Sequence, residues 1–572
     1  MRRHDAGTAE RTADDAMAGV RPLPSVAGGR VKPRPEKMRS QSGRSAGGIL
    51  SAAAALGGCT VLSRLLGLAR DAATAWLLGA GPVADALTAA MRLPHILRRM
   101  LAEGSLSMSL TARFAGRGDA EETAAAVRAL AWRLGAVLLA ACAAAAVLAA
   151  PFMRLLAPGL DAASAEFAGQ LLRACLPYVP AAGMAALCMA VLHARERFLV
   201  PALSPVLFNI CVLTAAVLAV GCGADATRTA FALALGMSCG GCAQWLLQQV
   251  AVARLLRRPR RRAGRTIARS SLPSREAWRL LIQLPAGALA ASAPQLAMLA
   301  AMWPASLAGE GNMAALYYAE RLLELPIGLV GACLGMAALP HLTRLARADR
   351  WRDFALLRDA SLRWAIRLSL PAATGLAAVS GPLVDCLLGH GAFDANAVRL
   401  TALAVLAYVP CLPACAVSRC LLASCHAAGR RRQAALTGLL TPLLTLVAGL
   451  LLIRGLDAPV RGAGAAAAAS LALWVQTGLL WRMGRDAAAS GDARRWALRF
   501  CCSQVGVAAL VGLAAGATSL LAGALPSWGR LGLSVAAGLL IWPPALLLVR
   551  DRDICRLGRR LLRRNDDSRA SL

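Results

Sequence analysis

From about Ile49 to Val549 the chain is a succession of apolar stretches, mostly Ala and Leu, separated by short polar or Gly/Pro punctuation. The stretches lack the polar/apolar alternation of half-buried strands. Each is long enough to cross about 30 Å of hydrocarbon at about 1.5 Å per helical residue. Inside lipid every backbone donor and acceptor needs an internal partner, which leaves helices or a closed barrel. Length and punctuation predict about fourteen helical spans, near 47–78, 82–114, 128–151, 166–193, 200–220, 227–253, 276–302, 312–342, 361–388, 396–425, 433–453, 462–481, 497–522 and 530–549. The pattern predicts an all-α polytopic membrane protein.

Composition agrees, because 58% of the 572 residues are hydrophobic and 16% are charged, against about 25% charged in soluble domains. The formal net charge of +32 invites a nucleic-acid reading, which its distribution opposes. Arg254, Arg257, Arg258, Arg260, Arg261, Arg262, Arg265 and Arg269 crowd one linker, and Arg430 to Arg432 another. Arg552, Arg556, Arg559, Arg560, Arg563 and Arg564 fill the tail. Basic clusters beside apolar spans mark cytoplasmic loops, which resist translocation and face anionic headgroups. They follow the even-numbered spans, whereas Gly79-Ala80-Gly81-Pro82, Gly221-Cys222-Gly223 and Gly389-His390-Gly391 follow odd-numbered ones. An even span count and this asymmetry both predict cytoplasmic termini in a bacterial inner membrane.

The expected organisation is a basic disordered extension at 1–45, a first lobe of six helices at 46–253, a basic cytoplasmic linker at 254–275, a second six-helix lobe at 276–484, two further helices at 485–550, and a basic tail at 551–572. Two bundles with cargo between them suit a transporter, although the halves share too little sequence for a repeat to be read. The 17 cysteines fall mostly inside spans, where free Cys behaves as a small hydrophobe. Cys411, Cys415, Cys420 and Cys425 lie close together without a paired knuckle or a histidine set, so no metal site is expected.

The informative residues are charges inside the apolar spans, each costing about 2.5–3.5 kcal/mol at mid-bilayer unless it finds a partner or a watery cavity. The first span holds Ser63, Arg64, Arg70 and Asp71; Arg64 and Asp71 share a helix face, as do Ser63 and Arg70. The second holds Asp85, Arg92, Arg98, Arg99 and Glu103, with Asp85, Arg92 and Arg99 recurring at seven in one stripe. Arg92, Arg99 and Glu103 are expected to satisfy one another. Arg64, Arg70 and Arg98 outnumber the carboxylates on their faces, and surplus guanidinium groups match phosphate oxygens in a bidentate way. The eighth span adds Glu320, Arg321 and Glu324 ahead of Pro326, a helical ion pair before a bend. Arg321 facing the same cavity completes a two-sided clamp for an anion.

These segments resemble the MurJ/MviN family of lipid II flippases, within the larger drug- and polysaccharide-exporter superfamily. The resemblance runs through Ser63-Arg64-Leu65-Leu66-Gly67-Leu68-Ala69-Arg70-Asp71, Leu78-Gly79-Ala80-Gly81 with Asp85-Ala86, and Arg92-Leu93-Pro94-His95-Ile96-Leu97-Arg98-Arg99 with Ala102-Glu103-Gly104. It continues through Pro201-Ala202-Leu203-Ser204-Pro205 with Asn209, then Tyr317-Tyr318-Ala319-Glu320-Arg321-Leu322 with Leu325-Pro326. The resemblance implies two lobes around a central cationic cavity, lined by Arg64, Arg70, Arg98 and Arg321 and supported by Asp85, with the last two spans forming a lipid-tail groove. It implies that the cargo is lipid II, an undecaprenyl-diphosphate-linked disaccharide-pentapeptide, and that cell-wall synthesis machinery and membrane lipids are the partners. The seventh span, Leu280 to Trp303, has no acidic residue, where some family members are thought to hold sodium with an aspartate. The expectation is therefore no resident cofactor, with coupling to the membrane potential or an ion gradient. The stretch Ser418 to Gly429 also departs from the family's Pro-Gly-aromatic pattern.

Two kinds of rival remain open at this level. A cation-drug exporter should offer carboxylates, not arginines, in its cavity, whereas a flippase for another polyprenyl-diphosphate saccharide would need the same arginines. A membrane enzyme should show a nucleophile–base arrangement or a metal cluster, and neither appears. A scaffold has no use for unpaired intramembrane arginines.

Overall fold

The computed structural model describes residues 36–102, 110–111, 114, 120–256, 293–327, 333–484 and 491–549. Among them every regular element is helical: α1 (Glu36–Leu78), α2 (Pro82–Ala102), α3 (Ala120–Val147), α4 (Ala149–Leu156), α5 (Ala162–Cys175), α6 (Tyr178–Ala194), α7 (Leu199–Gly221), α8 (Ala226–Leu256), α9 (Ala293–Leu307), α10 (Asn312–Ile327), α11 (Cys333–Arg347), α12 (Trp351–Ala378), α13 (Ser380–Leu388), α14 (Ala395–Tyr408), α15 (Cys411–Ala427), α16 (Arg431–Gly455), a 3₁₀ turn (Ala458–Val460), α17 (Arg461–Met483), α18 (Gly491–Leu521) and α19 (Ser527–Leu548). Packing separates Met1–Ala55 from Leu56–Leu572, and the buried core and the charged stripe both belong to the second unit.

Nine helical stretches among the described residues are long and apolar enough to cross a membrane, or ten if α12 and α13, bent by 70°, form one span. All ten coincide with predicted spans. The predicted span at 47–78 lies within α1, and those at 82–114, 276–302 and 312–342 run partly through residues outside the described set. The basic linker beyond residue 256 and the tail at 551–572 also lie outside it. The expected extension at 1–45 needs a correction, because α1 already begins at Glu36. Pro33 and Pro35 close the helix-breaking segment, and nothing after Pro35 interrupts a helix.

The two halves of the chain, α1–α8 and α9–α17, share a four-helix run, α3–α6 and α12–α15, that residue identities conceal. Helices α3, α4, α5 and α6 have 28, 8, 14 and 17 residues. Helices α12, α13, α14 and α15 have 28, 9, 14 and 17. Both 14-residue helices start on an aspartate cap: Asp161 accepts from the N–H groups of Ala163 and Ser164, and Asp394 from that of Ala397. Both are followed by a proline break, at Pro177 and at Pro410. The repeat resides in turn chemistry and helix length, which lipid-facing Ala/Leu drift leaves intact.

Small residues let the halves approach closely. Ala75 on α1, Ala86, Ala89 and Ala90 on α2, and Ala314 and Ala319 on α10 are fully buried in one continuous core. That core carries the charged stripe of α2 against α10.

Candidate functional site

Asp85, Arg92 and Arg99 point from α2 at successive levels, and α10 answers each. Asp85 Oδ2 accepts the Gly311 N–H at 2.6 Å and Oδ1 the Ala314 N–H at 2.7 Å. A carboxylate of the first half thus caps the N-terminus of a helix of the second, satisfying orphan donors and meeting the positive end of its dipole. Arg92 forks onto Glu320 at 2.5 and 2.7 Å, with Tyr408 Oη donating to Glu320 Oε1 at 2.9 Å and Arg92 Nε directed at Met302 Sδ at 3.0 Å. Arg99 pairs with Glu324, which also holds Arg321 at 2.9 Å.

The expectation that Arg92, Arg99 and Glu103 satisfy one another is therefore corrected for the two arginines. Residues seven apart share a face, but they are about 10.5 Å apart along it, so the counter-charges come from the opposing helix. Glu103 lies outside the described residues. The three-residue spacing of Arg321 and Glu324 does form the expected helical pair.

On α1, Arg70 donates through Nε and Nη2 to Asp71 Oδ1 at 3.0 and 2.7 Å, and through Nη1 to Asn209 Oδ1 on α7 at 3.1 Å. Asn209 Nδ2 in turn donates to the Ser63 carbonyl at 3.0 Å, so the common face of Ser63 and Arg70 is bridged from outside. Ser63 contributes its backbone, not its hydroxyl, to this bridge. Phe208 lies 5.7 Å from the Arg70 guanidinium, and the Tyr317 ring 4.8 Å from that of Arg321, aromatic faces that suit a delocalised cation. Asp71 is buried and Arg64 exposed, so this arrangement does not bring Arg64 into the cluster.

Arg70, from the first half, and Arg321, from the second, act on each other electrostatically. Together with Arg98 and Arg99 they also act electrostatically on His95, which stands edge-on to Tyr178 at 6.3 Å with its Nδ1 buried and unpartnered. Arg98 is half-buried. Sequence reasoning anticipated Arg70, Arg98 and Arg321 among these groups. It missed His95, Tyr408, Tyr317 and Phe208 because single uncharged residues in apolar spans carry no pattern. Beside the Arg70–Asp71 pair a small cavity is lined by Arg70, Asp71, Thr74, Ala84, Leu87, Thr88, Met91, Val212, Leu233, Tyr317 and Tyr318. Among the described residues no group of three or more His, Cys, Asp or Glu side chains is placed to hold a metal.

At the end of the bundle carrying the Gly79–Gly81 turn, the halves meet through hydrogen bonds to backbone groups. The Ala392 N–H donates to the Trp76 carbonyl at 2.9 Å, Trp303 Nε1 to the Leu155 carbonyl at 2.8 Å, and the Gly159 N–H to Ser306 Oγ at 3.1 Å. A Cβ on Gly159 would stand 2.0 Å from the Ser306 carbonyl oxygen, and one on Gly311 2.3 Å from that of Ala80. Gly311 also has φ +78°, a conformation that glycine adopts without strain. The turn end is closed by contacts that admit no side chain.

Comparison with known proteins accords with this arrangement. The chain is 30% identical over 448 residues to the probable lipid II flippase MurJ of Rhizobium meliloti, covering 76% of this chain and 81% of that one. It is 31% identical over 360 residues to the lipid II flippase MurJ of Burkholderia cenocepacia, covering 61% and 68%. Its fold is similar to a solved lipid II flippase MurJ in an inward closed conformation, with a TM-score of 0.71 at 18% identity over 87% of this chain and 99% of that one. The profile of the family described as lipid II flippase MurJ matches residues 74–529, so the stripe, the clamp arginines beyond α1 and helices α2–α17 fall inside it, and the chain belongs to the MurJ family of lipid II flippases.

Proposed function

We propose that this chain moves lipid II from the inner to the outer leaflet of the cytoplasmic membrane by alternating access, with the lipid's diphosphate held between Arg70, Arg98 and Arg321 and with Arg64 joining as the cavity opens. The observation that carries the reading is the approach of Arg70 and Arg321 from opposite halves, each paired with a single carboxylate, Asp71 or Glu324. A diphosphate offers more acceptor oxygens and more charge than one carboxylate, and guanidinium forks bind it in a bidentate way. Substrate entry therefore exchanges carboxylate partners for phosphate. The exchange frees Glu324 from Arg321 and leaves it to Arg99, its partner across the halves.

With the termini in the cytoplasm, the glycine-lined turn end is the outer face, and its closure fits a cavity that loads from the inside. The polyprenyl tail stays in lipid while the headgroup crosses, and the membrane potential or an ion gradient drives the cycle. The chain acts as a transporter and makes or breaks no bond of its cargo.

The test is reconstitution into vesicles containing fluorescent lipid II, with the outer-leaflet pool quenched over time. The proposal expects protein-dependent exposure of inner-leaflet lipid II that Arg321→Ala abolishes. Exposure equal to that of protein-free vesicles contradicts it.

A further inference from the structure

Of the four cysteines grouped on α15, Cys411 and Cys415 lie about one helical turn apart, and their sulfurs stand 3.4 Å from each other. Cys420 turns its sulfur to the Ser361 carbonyl instead, at 3.9 Å. The spacing that argues against a four-ligand centre therefore leaves a two-ligand one. Cys411 is 5% exposed and packs with Ala414 and Leu473, whereas Cys415 is half-buried. Among the described residues neither sulfur has another hydrogen-bond partner.

Thiolates are soft ligands that select soft ions such as copper(I). No third His, Cys, Asp or Glu is placed to join the pair among the described residues. Two ligands fall short of the four that structural zinc takes and suit an ion that accepts two sulfurs in line. Charge narrows the choice further. Pro410 has no N–H and opens α15 directly ahead of Cys411, so Cys411 occupies the positive end of the helix, where a thiolate is favoured. Arg419, one turn past Cys415, acts electrostatically on both sulfurs and has no carboxylate partner among the described residues. Glu320, which also acts on Cys411, is already held by Arg92. Two thiolates, one monovalent ion and Arg419 sum to zero charge, which suits an apolar site; a divalent ion leaves one positive charge over. We infer that Cys411 and Cys415 bind one soft monovalent ion of the copper(I) class. On binding, both thiols lose their protons to water, two metal–sulfur bonds form, and no electron is transferred. The half-buried Cys415 side chain turns about its first side-chain bond to open the pair for the ion. The site is independent of the transport reading.

The test uses the full chain purified in detergent, reduced and kept free of oxygen, with copper(I) as the probe and bicinchoninate as the competing chelator. Wild-type protein should withdraw copper(I) from the chelator. Cys411→Ala, Cys415→Ala and the double variant should each hold one equivalent fewer, the affinity of that equivalent falling about a hundredfold or more. Cys420→Ala should keep it, and circular dichroism should show intact helices throughout. Silver(I) should displace that equivalent and zinc should not. Equal copper(I) content in the wild type and both single variants overturns the inference, as does a loss confined to one of them. Displacement by equimolar zinc overturns the monovalent assignment.

Discussion

Arg92 and Glu320, 228 residues apart in sequence, form a two-point ion pair buried at the interface of the two halves, with side chains only 7% and 4% exposed. The pair is fully dressed, because Tyr408 donates to the carboxylate and Arg92 Nε is directed at Met302. Desolvating two charges offsets most of their attraction, so the pair's worth lies in fixing which surfaces meet more than in net stability.

Removing one partner strands the other. Arg92→Met or Glu320→Leu alone should each cost about 3–5 kcal/mol, whereas the double substitution should recover most of that loss. Thermal unfolding of the purified variants in detergent checks the cycle. Additive losses in the double variant would mean that the two residues act independently.

Asp85 differs, because its partners are backbone N–H groups that no substitution on α10 short of proline removes. Asp85→Ala leaves the Gly311 and Ala314 N–H groups unsatisfied and should cost about 1–2 kcal/mol, the range for a lost helix cap. Hydrogen exchange at residues 311–314 should accelerate while exchange in α3 stays unchanged. Unaltered exchange at 311–314 would show that water replaces the carboxylate without loss.

The glycines of the turn end predict a steric block. Gly159→Val places carbon where the Ser306 carbonyl now stands, so the halves cannot close there without moving backbone. Faster exchange of the amides at positions 159 and 392, together with reduced lipid II transport, is the expected outcome. Transport at the wild-type rate in this variant would show that the close approach is dispensable.

Asn209 predicts a split between binding and folding. It holds Arg70 by its carbonyl and α1 by its amide, so Asn209→Leu should leave the protein inserted and folded but weaken lipid II binding severalfold through a misplaced guanidinium. Binding measured by fluorescence with labelled lipid II, beside an unfolding curve, separates the two effects. A large drop in unfolding temperature with unchanged affinity would assign Asn209 to structure alone.

How much of the fold and the site was legible in sequence depended on the kind of signal. The ten spans found in the described helices come from length and hydropathy, which act locally and survive drift. The seven-residue stripe of Asp85, Arg92 and Arg99 was visible as a stripe, because helical periodicity fixes which residues share a face. Its partners were not visible: Glu320 and Glu324 lie on a helix more than two hundred residues away, and periodicity says nothing about which faces dock. Arg70 with Asp71 shows the same limit, since neighbours in sequence normally point apart on a helix, and only the long Arg70 side chain, steadied by Asn209, brings them together. The repeat of α3–α6 in α12–α15 escaped because it is written in cap and break positions, Asp161 with Pro177 and Asp394 with Pro410, not in matched residues.

If opposed arginines carry a diphosphate lipid across the membrane, the most direct test is lipid II externalisation in bacteria depleted of their own flippase and supplied with this chain. Surface lipid II should be restored by the wild-type chain and lost again with Arg70→Ala, Arg98→Ala or Arg321→Ala, each inserted at normal levels. Normal externalisation by all three variants, or none by a well-expressed wild-type chain, would contradict the arginine clamp.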